Sequence, residues 1–149
     1  MREVHTEIEI NAPVERVWQI LTGFDHWSEW NPFLYRAYGK AEHGEHIELF
    51  FARPDAKEMK LNCTITKLEP EHEWIWKYHV IWTGLFQGEH SFAVEKIDEN
   101  RTRFVQREVF NGFLVPIFLK EAETASGFEA MDKALKARAE QSEESQEVH

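Results

Sequence analysis

The residues best suited to chemistry sit on two adjacent segments with strand-like alternation. Gln87 to Ile97 separates Gly88, His90, Phe92 and Val94 from Glu89, Ser91, Ala93 and Glu95, and the first set reads as the buried one. In Thr102 to Phe110 the choice lies between Phe104, Gln106, Glu108, Phe110 and a set containing Arg103 and Arg107. Long arginines belong in water, so Gln106 and Glu108 point inward. A hairpin turn at Asp98-Glu99-Asn100, with Asn100 left-handed, sets His90 opposite Glu108 and Phe92 opposite Gln106. A buried His facing a Glu should hydrogen-bond, the carboxylate favouring a charged imidazole and burial opposing it. Such a pair can hold a ligand's hydroxyl or carbonyl, or move a proton in a cyclisation or dehydration. The plainer alternative is a self-satisfied polar pair that tolerates burial.

Around this pair the chain offers apolar walls. Trp27, Trp30, Phe33, Trp74, Trp76 and Trp82 can line or lid a cavity, or simply form core, and Tyr78 can help orient a ligand. Phe128 and Met131 lie on the apolar stripe of the last helical segment, methionine adapting to varied shapes. Gly127 occupies a helical position where alanine is better by about 1 kcal/mol, which points to a close approach by the sheet or a ligand. The candidate ligand contacts are therefore Trp27, Trp30, Phe33, Trp76, Tyr78, His90, Phe92, Gln106, Glu108, Gly127, Phe128 and Met131. His90 and Glu108 are the candidates for catalysis. His43 and His46 lack a third ligand, so no metal is expected. Cys63 shares the apolar parity of Leu61 and Ile65 and reads as core. No phosphate-cradling glycine loop or nucleophile elbow occurs, and no cofactor is implied.

The elements that must position these residues follow from periodicity. Val4 to Ile10 alternates as an edge-like strand with one wet face. Asn11-Ala12-Pro13 starts a helix carrying Val14, Val17, Trp18 and Leu21 as far as Gly23. Asp25 can cap a second short helical turn bearing Trp27 and Trp30, ended by Asn31-Pro32. From Phe33 to Phe110 six strands alternate with turns at 39–44, Arg53-Pro54-Asp55, Glu69-Pro70-Glu71, Thr83-Gly84 and Asp98-Glu99-Asn100. Loops this short force antiparallel pairing. Phe118, Ala125, Phe128, Met131 and Leu135 then trace a helix of roughly 25 residues, about 37 Å long, ending near Glu140. The fold class is α+β: a curved seven-stranded antiparallel sheet around a long C-terminal helix, with two short helices after the first strand. A helix cannot fill such a trough alone, which leaves large side chains or a cavity to do so.

Composition narrows the partners. The 149 residues carry 17 basic and 27 acidic side chains, a formal charge of −10 that disfavours nucleic acid and anionic membrane surfaces. One domain is expected over 1–140, followed by a disordered acidic tail at 141–149. Six Trp and eleven Phe suit an oversized core or an apolar cavity. The lone cysteine permits no internal disulfide, no apolar run approaches a bilayer's thickness, and nothing resembles a signal peptide, so a cytoplasmic location is expected. Phe113 to Leu119 (FLVPIFL) can be a cavity mouth, a dimer contact or a buried helix start, and the oligomeric state stays open.

The order of elements resembles the START-like helix-grip superfamily (SRPBCC), which includes pollen allergens and polyketide cyclase-like proteins. Ile10 to Trp18 (INAPVERVW) resembles its strand-to-helix entry and Trp30-Asn31-Pro32-Phe33 its tryptophan-asparagine-proline turn. Gly88 to Phe92 with Thr102 to Phe104 is similar to its penultimate hairpin, and Gly127 to Met131 to its last helix. The resemblance implies a small hydrophobic or aromatic ligand, lipid- or polyketide-like, held between sheet and helix. It also admits a cyclase or dehydratase using His90 and Glu108, or a chaperone-associated interaction module with a filled core.

Overall fold

In the computed structural model, residues 1–52, 58–80 and 84–141 are described. The expected turn at Arg53-Pro54-Asp55, Trp82, Thr83 and all of the expected tail beyond Gln141 lie outside the described residues. Strand β1 (Arg2–Ile10) is followed by α1 (Val14–Thr22) and a 3-10 helix (Phe24–Glu29). Six strands come next: β2 (Arg36–Tyr38), β3 (His46–Ala52), β4 (Glu58–Glu69), β5 (Glu73–Val80), β6 (Phe86–Asp98) and β7 (Arg101–Asn111). A short α2 (Val115–Phe118) and a long α3 (Glu121–Glu140) complete the chain. The sheet order is β1-β7-β6-β5-β4-β3-β2, every neighbouring pair antiparallel, so β1 is an edge as its alternation implied.

Pro13 stands just before α1 and its carbonyl accepts the Arg16 and Val17 amides. The position before the 3-10 helix is Gly23, not Asp25, and no side chain caps it. Asn31 does the local work: its Oδ1 accepts the Phe33 and Leu34 amides at 3.0 Å each, turning the chain toward β2. The register of β6 and β7 is as the alternation implied, His90 opposite Glu108 and Phe92 opposite Gln106. The turn differs. Asp98 pairs with Arg101 across a two-residue loop, and Asn100 is not left-handed; the extra residue is taken up as a bulge between Lys96 and Asp98. Asp98 Oδ1 accepting the Asn100 amide at 2.9 Å stabilises that tighter turn.

The last helix is also shorter than its periodicity suggests. Leu119 and Lys120 are extended, so α2 and α3 are separate helices and α3 has 20 residues, about 30 Å long. Pro116 stands in the first turn of α2, where a missing amide costs nothing, and Phe118 belongs to α2 rather than to the α3 stripe. The stripe itself is buried: Phe128, Met131, Leu135 and Ala139 face the sheet.

Strand pairing gives the trough two different ends. At one, Asn11 N–H donates to Glu140 at 2.7 Å, Arg16 Nε to the Ala139 carbonyl at 2.6 Å, and Thr102 Oγ1 to the Ala12 carbonyl at 2.8 Å, so α1 closes the trough. At the other lie Gly84 and Leu85 before β6, the α2 segment and the start of α3, with Arg2 bridging to Glu121 and the Leu114 amide bonded to the Leu85 carbonyl. Phe113 and Ile117 are exposed there, at 86% and 70%.

Candidate functional site

The closed end is an aromatic plug. Trp27, Trp74, Trp76 and Phe92 are fully buried and in mutual ring contact, Trp74 stacking on Phe92 at 4.3 Å between centroids. Trp27 fixes itself by donating Nε1–H to the Leu21 carbonyl at 2.9 Å. Trp30 packs edge-on against Trp27 at 6.1 Å, behind the plug, and its other side lines a surface cleft of about 180 Å³ with Arg16, His26 and Arg138. A second cleft of about 370 Å³ crosses the outer sheet face, its lining including Lys77, Tyr78, His79, Gln87, Gly88 and Glu89.

One layer toward the open end, five polar side chains form a continuous row inside this apolar shell. Tyr78 O–H donates to Glu108 Oε1 at 2.5 Å. Glu108 Oε2 is 3.3 Å from His90 Nδ1. His90 Nε2 meets Gln106 Oε1 at 3.0 Å, and Gln106 Nε2 donates to Asp132 Oδ1 at 2.7 Å and to the Phe128 carbonyl at 3.3 Å. The row thus runs from β5 through β7 and β6 to α3. His90, Gln106, Glu108 and Asp132 are all buried. The imidazole lies between two rings, 3.9 Å from Phe92 and 4.8 Å from Phe128, both nearly parallel to it.

The hydrogen positions follow from donor and acceptor chemistry. A backbone carbonyl only accepts, so the Phe128 contact turns the Gln106 NH₂ toward α3 and its oxygen toward His90. His90 Nε2 therefore carries a hydrogen. The other ring nitrogen, Nδ1, faces the Glu108 carboxyl at 3.3 Å. Burial pushes the Asp132 carboxyl above its ordinary value, opposed chiefly by the Gln106 amide. Thr6 lies close enough to lower it as well without closing a hydrogen bond. Burial, reinforced by the Glu108 charge, holds the Tyr78 phenol well above its usual value. Burial likewise pushes the Cys63 thiol up, so it is a core group and no nucleophile.

Two glycines make the arrangement possible. Gly88 on β6 pairs with Tyr78 on β5, and any Cβ at Gly88 would collide with the Tyr78 ring. Its absence lets the ring lean across β6 to reach Glu108 on β7. Gly127 does the same for Phe33, whose ring lies 2.6 Å from where a Cβ would be; the close approach there is by the loop after Asn31, not by the sheet. Phe33 also contacts Phe128 and Phe51 at the open end.

Of the candidate residues, Tyr78, His90, Gln106 and Glu108 meet in the row, with Trp76, Phe92 and Phe128 around it. Met131 is buried on α3, Phe33 and Gly127 lie toward the open end, Trp27 is in the plug and Trp30 is half-buried behind it. Sequence reasoning missed Asp132 and the role of Gly88. Asp132 lies one turn after Phe128 and three residues before Leu135, on the buried stripe, so helical spacing was a signal that could have found it. Among the described residues no group of His, Cys, Asp and Glu could hold a metal ion, and no helix is long and apolar enough to cross a membrane.

The comparisons agree with this architecture. The family model described as polyketide cyclase / dehydrase and lipid transport matches residues 1–143. A START superfamily protein of Mycobacterium smegmatis superposes with a TM-score of 0.73 at 16% identity, over 93% of this chain and 97% of that one. Protein jhp0584 of Helicobacter pylori gives 0.77 at 16% identity, over 93% and 88%. The di-domain ARO/CYC BexL of the BE-7585A biosynthetic pathway gives 0.71 at 12% identity, over 95% of this chain and 50% of BexL. No curated protein sequence matches. With a helix-grip fold of START-like type and a family match over nearly its whole length, the chain belongs to the polyketide cyclase / dehydrase and lipid transport family.

Proposed function

We propose that the protein binds a small hydrophobic or aromatic, lipid- or polyketide-like molecule between the concave sheet face and α3, entering from the α2 end. The observation that carries this reading is the row Tyr78-Glu108-His90-Gln106-Asp132, buried at mid-depth in an aromatic shell. Burying that many polar groups costs folding free energy that apolar side chains of equal volume would avoid. A row that orients a ligand accounts for that cost. Apolar burial at about 25 cal/mol per Å² supplies the affinity, with Phe33 and Phe128 as the first side chains a ligand displaces. START-type and ARO/CYC neighbours support the same reading at the level of fold.

The test is a thermal-shift screen against fatty acids, sterols, flavonoids and aromatic polyketides. A true ligand at a hundredfold over its Kd stabilises the fold by about 2.7 kcal/mol. A flat response to all four classes would overturn the reading. The 3.3 Å contact of His90 with Glu108 favours a second one, a cyclase or dehydratase in which a proton moves to and from substrate. Turnover abolished by His90→Ala with the fold intact supports it; saturable binding with no product supports the first.

A further inference from the structure

The same row also restricts the chemistry of the ligand's polar group, an inference that rests on the binding reading above. Each hydrogen in the row has an internal acceptor. Tyr78 O–H is directed at Glu108, His90 Nε2–H at Gln106, and the two Gln106 amide hydrogens at Asp132 and the Phe128 carbonyl. His90 Nδ1 is turned to the Glu108 carboxyl at 3.3 Å. What the row has left are lone pairs, on the Tyr78 oxygen and on the Glu108 and Asp132 carboxyls, and of these Tyr78 is the half-buried member, with Glu108 beside it. We infer that the ligand presents a hydroxyl to Tyr78 and Glu108 as a hydrogen-bond donor, so that alcohols and phenols are selected over the matching ethers and ketones. An ether or ketone there would set lone pair against lone pair in a site with little water, and would have to break an internal bond to find a donor.

Three probes of one shape separate the cases: β-naphthol, its methyl ether and its acetyl analogue, titrated calorimetrically into the full chain. The naphthol is expected to bind at least about tenfold more tightly than the ether or the ketone, the range of one hydrogen bond to a charged partner. Equal affinities, or a preference for the ketone, would overturn the donor inference and leave the binding reading standing. Failure of all three to bind would overturn both. Glu108→Gln supplies a second measurement. Its amide oxygen can accept from Tyr78, one N–H can serve His90 Nδ1, and the other N–H is free to donate. Preference for the naphthol is expected to fall by about tenfold in this variant; an unchanged preference, in a variant melting like the parent, would overturn the assignment.

Discussion

At the scale of single residues, the site is a chain of hydrogen bonds whose direction is set at α3. Asp132 is the member with a clear pH consequence. Its folded-state proton affinity is raised above the ordinary 3.8, mainly by burial. Between those two values the folded protein binds more protons than the unfolded one, so this group's contribution to stability falls as pH rises. Asp132→Asn keeps an acceptor for Gln106 and has no proton to lose. Urea unfolding across the acid range is therefore expected to show the variant gaining on the parent from pH 4 toward neutrality. A difference independent of pH would contradict it. Gly88 makes a second residue-scale prediction. Gly88→Ala drives a Cβ into the Tyr78 ring and is expected to cost about 1–3 kcal/mol. The cost should largely vanish in a Tyr78→Ala background, where the ring is gone. The role of Gly88 was not legible in sequence, because a one-letter string does not show a ring leaning across a neighbouring strand.

At the scale of elements, what could be read was what depends on parity. Alternation put His90 and Glu108 on the inward face, the expected turn set them opposite each other, and the pairing holds with a tighter turn because a bulge near Ile97 compensates for the shorter loop. Parity could not show the links that cross elements: Gln106 to α3, Tyr78 over β6, or Phe33 on Gly127. Those depend on sheet curvature and helix placement. The break between α2 and α3 was also missed, since an apolar run continues through Leu119 while the backbone there is extended. The Phe33 and Gly127 contact gives a prediction with a change of sign. In the parent, Gly127→Ala gains helix propensity of about 1 kcal/mol but displaces Phe33, and the net effect is expected to be destabilising by about 1 kcal/mol or more. In a Phe33→Ala background the same substitution is expected to stabilise by up to about 1 kcal/mol. Chemical denaturation of the four proteins decides it; the same sign in both backgrounds would show that Phe33 is not what Gly127 accommodates.

At the scale of the whole molecule, the trough is asymmetric. One end is closed by α1 and filled by Trp27, Trp74, Trp76 and Phe92; the other is bordered by α2, where Ile117 and the preceding Phe113 are exposed. The polar row lies between them. On the proposed reading, a molecule entering from α2 would meet Phe33 and Phe128 first, then Tyr78 and Glu108, and stop at the plug. Aromatic richness was visible in composition, but which aromatics fill and which yield was not, because both kinds share strand and helix spacing. The most direct test is NMR on the complex with a ligand found by the thermal screen, looking for intermolecular contacts. Contacts to the rings of Phe33 and Phe128 as well as Tyr78, with the Gln106 side-chain amide shifting in step with saturation, are the predicted result. Contacts confined to Lys77, His79 and Gln87 on the outer face, or to Arg16, His26 and Trp30 beside α1, would contradict a ligand site between sheet and helix.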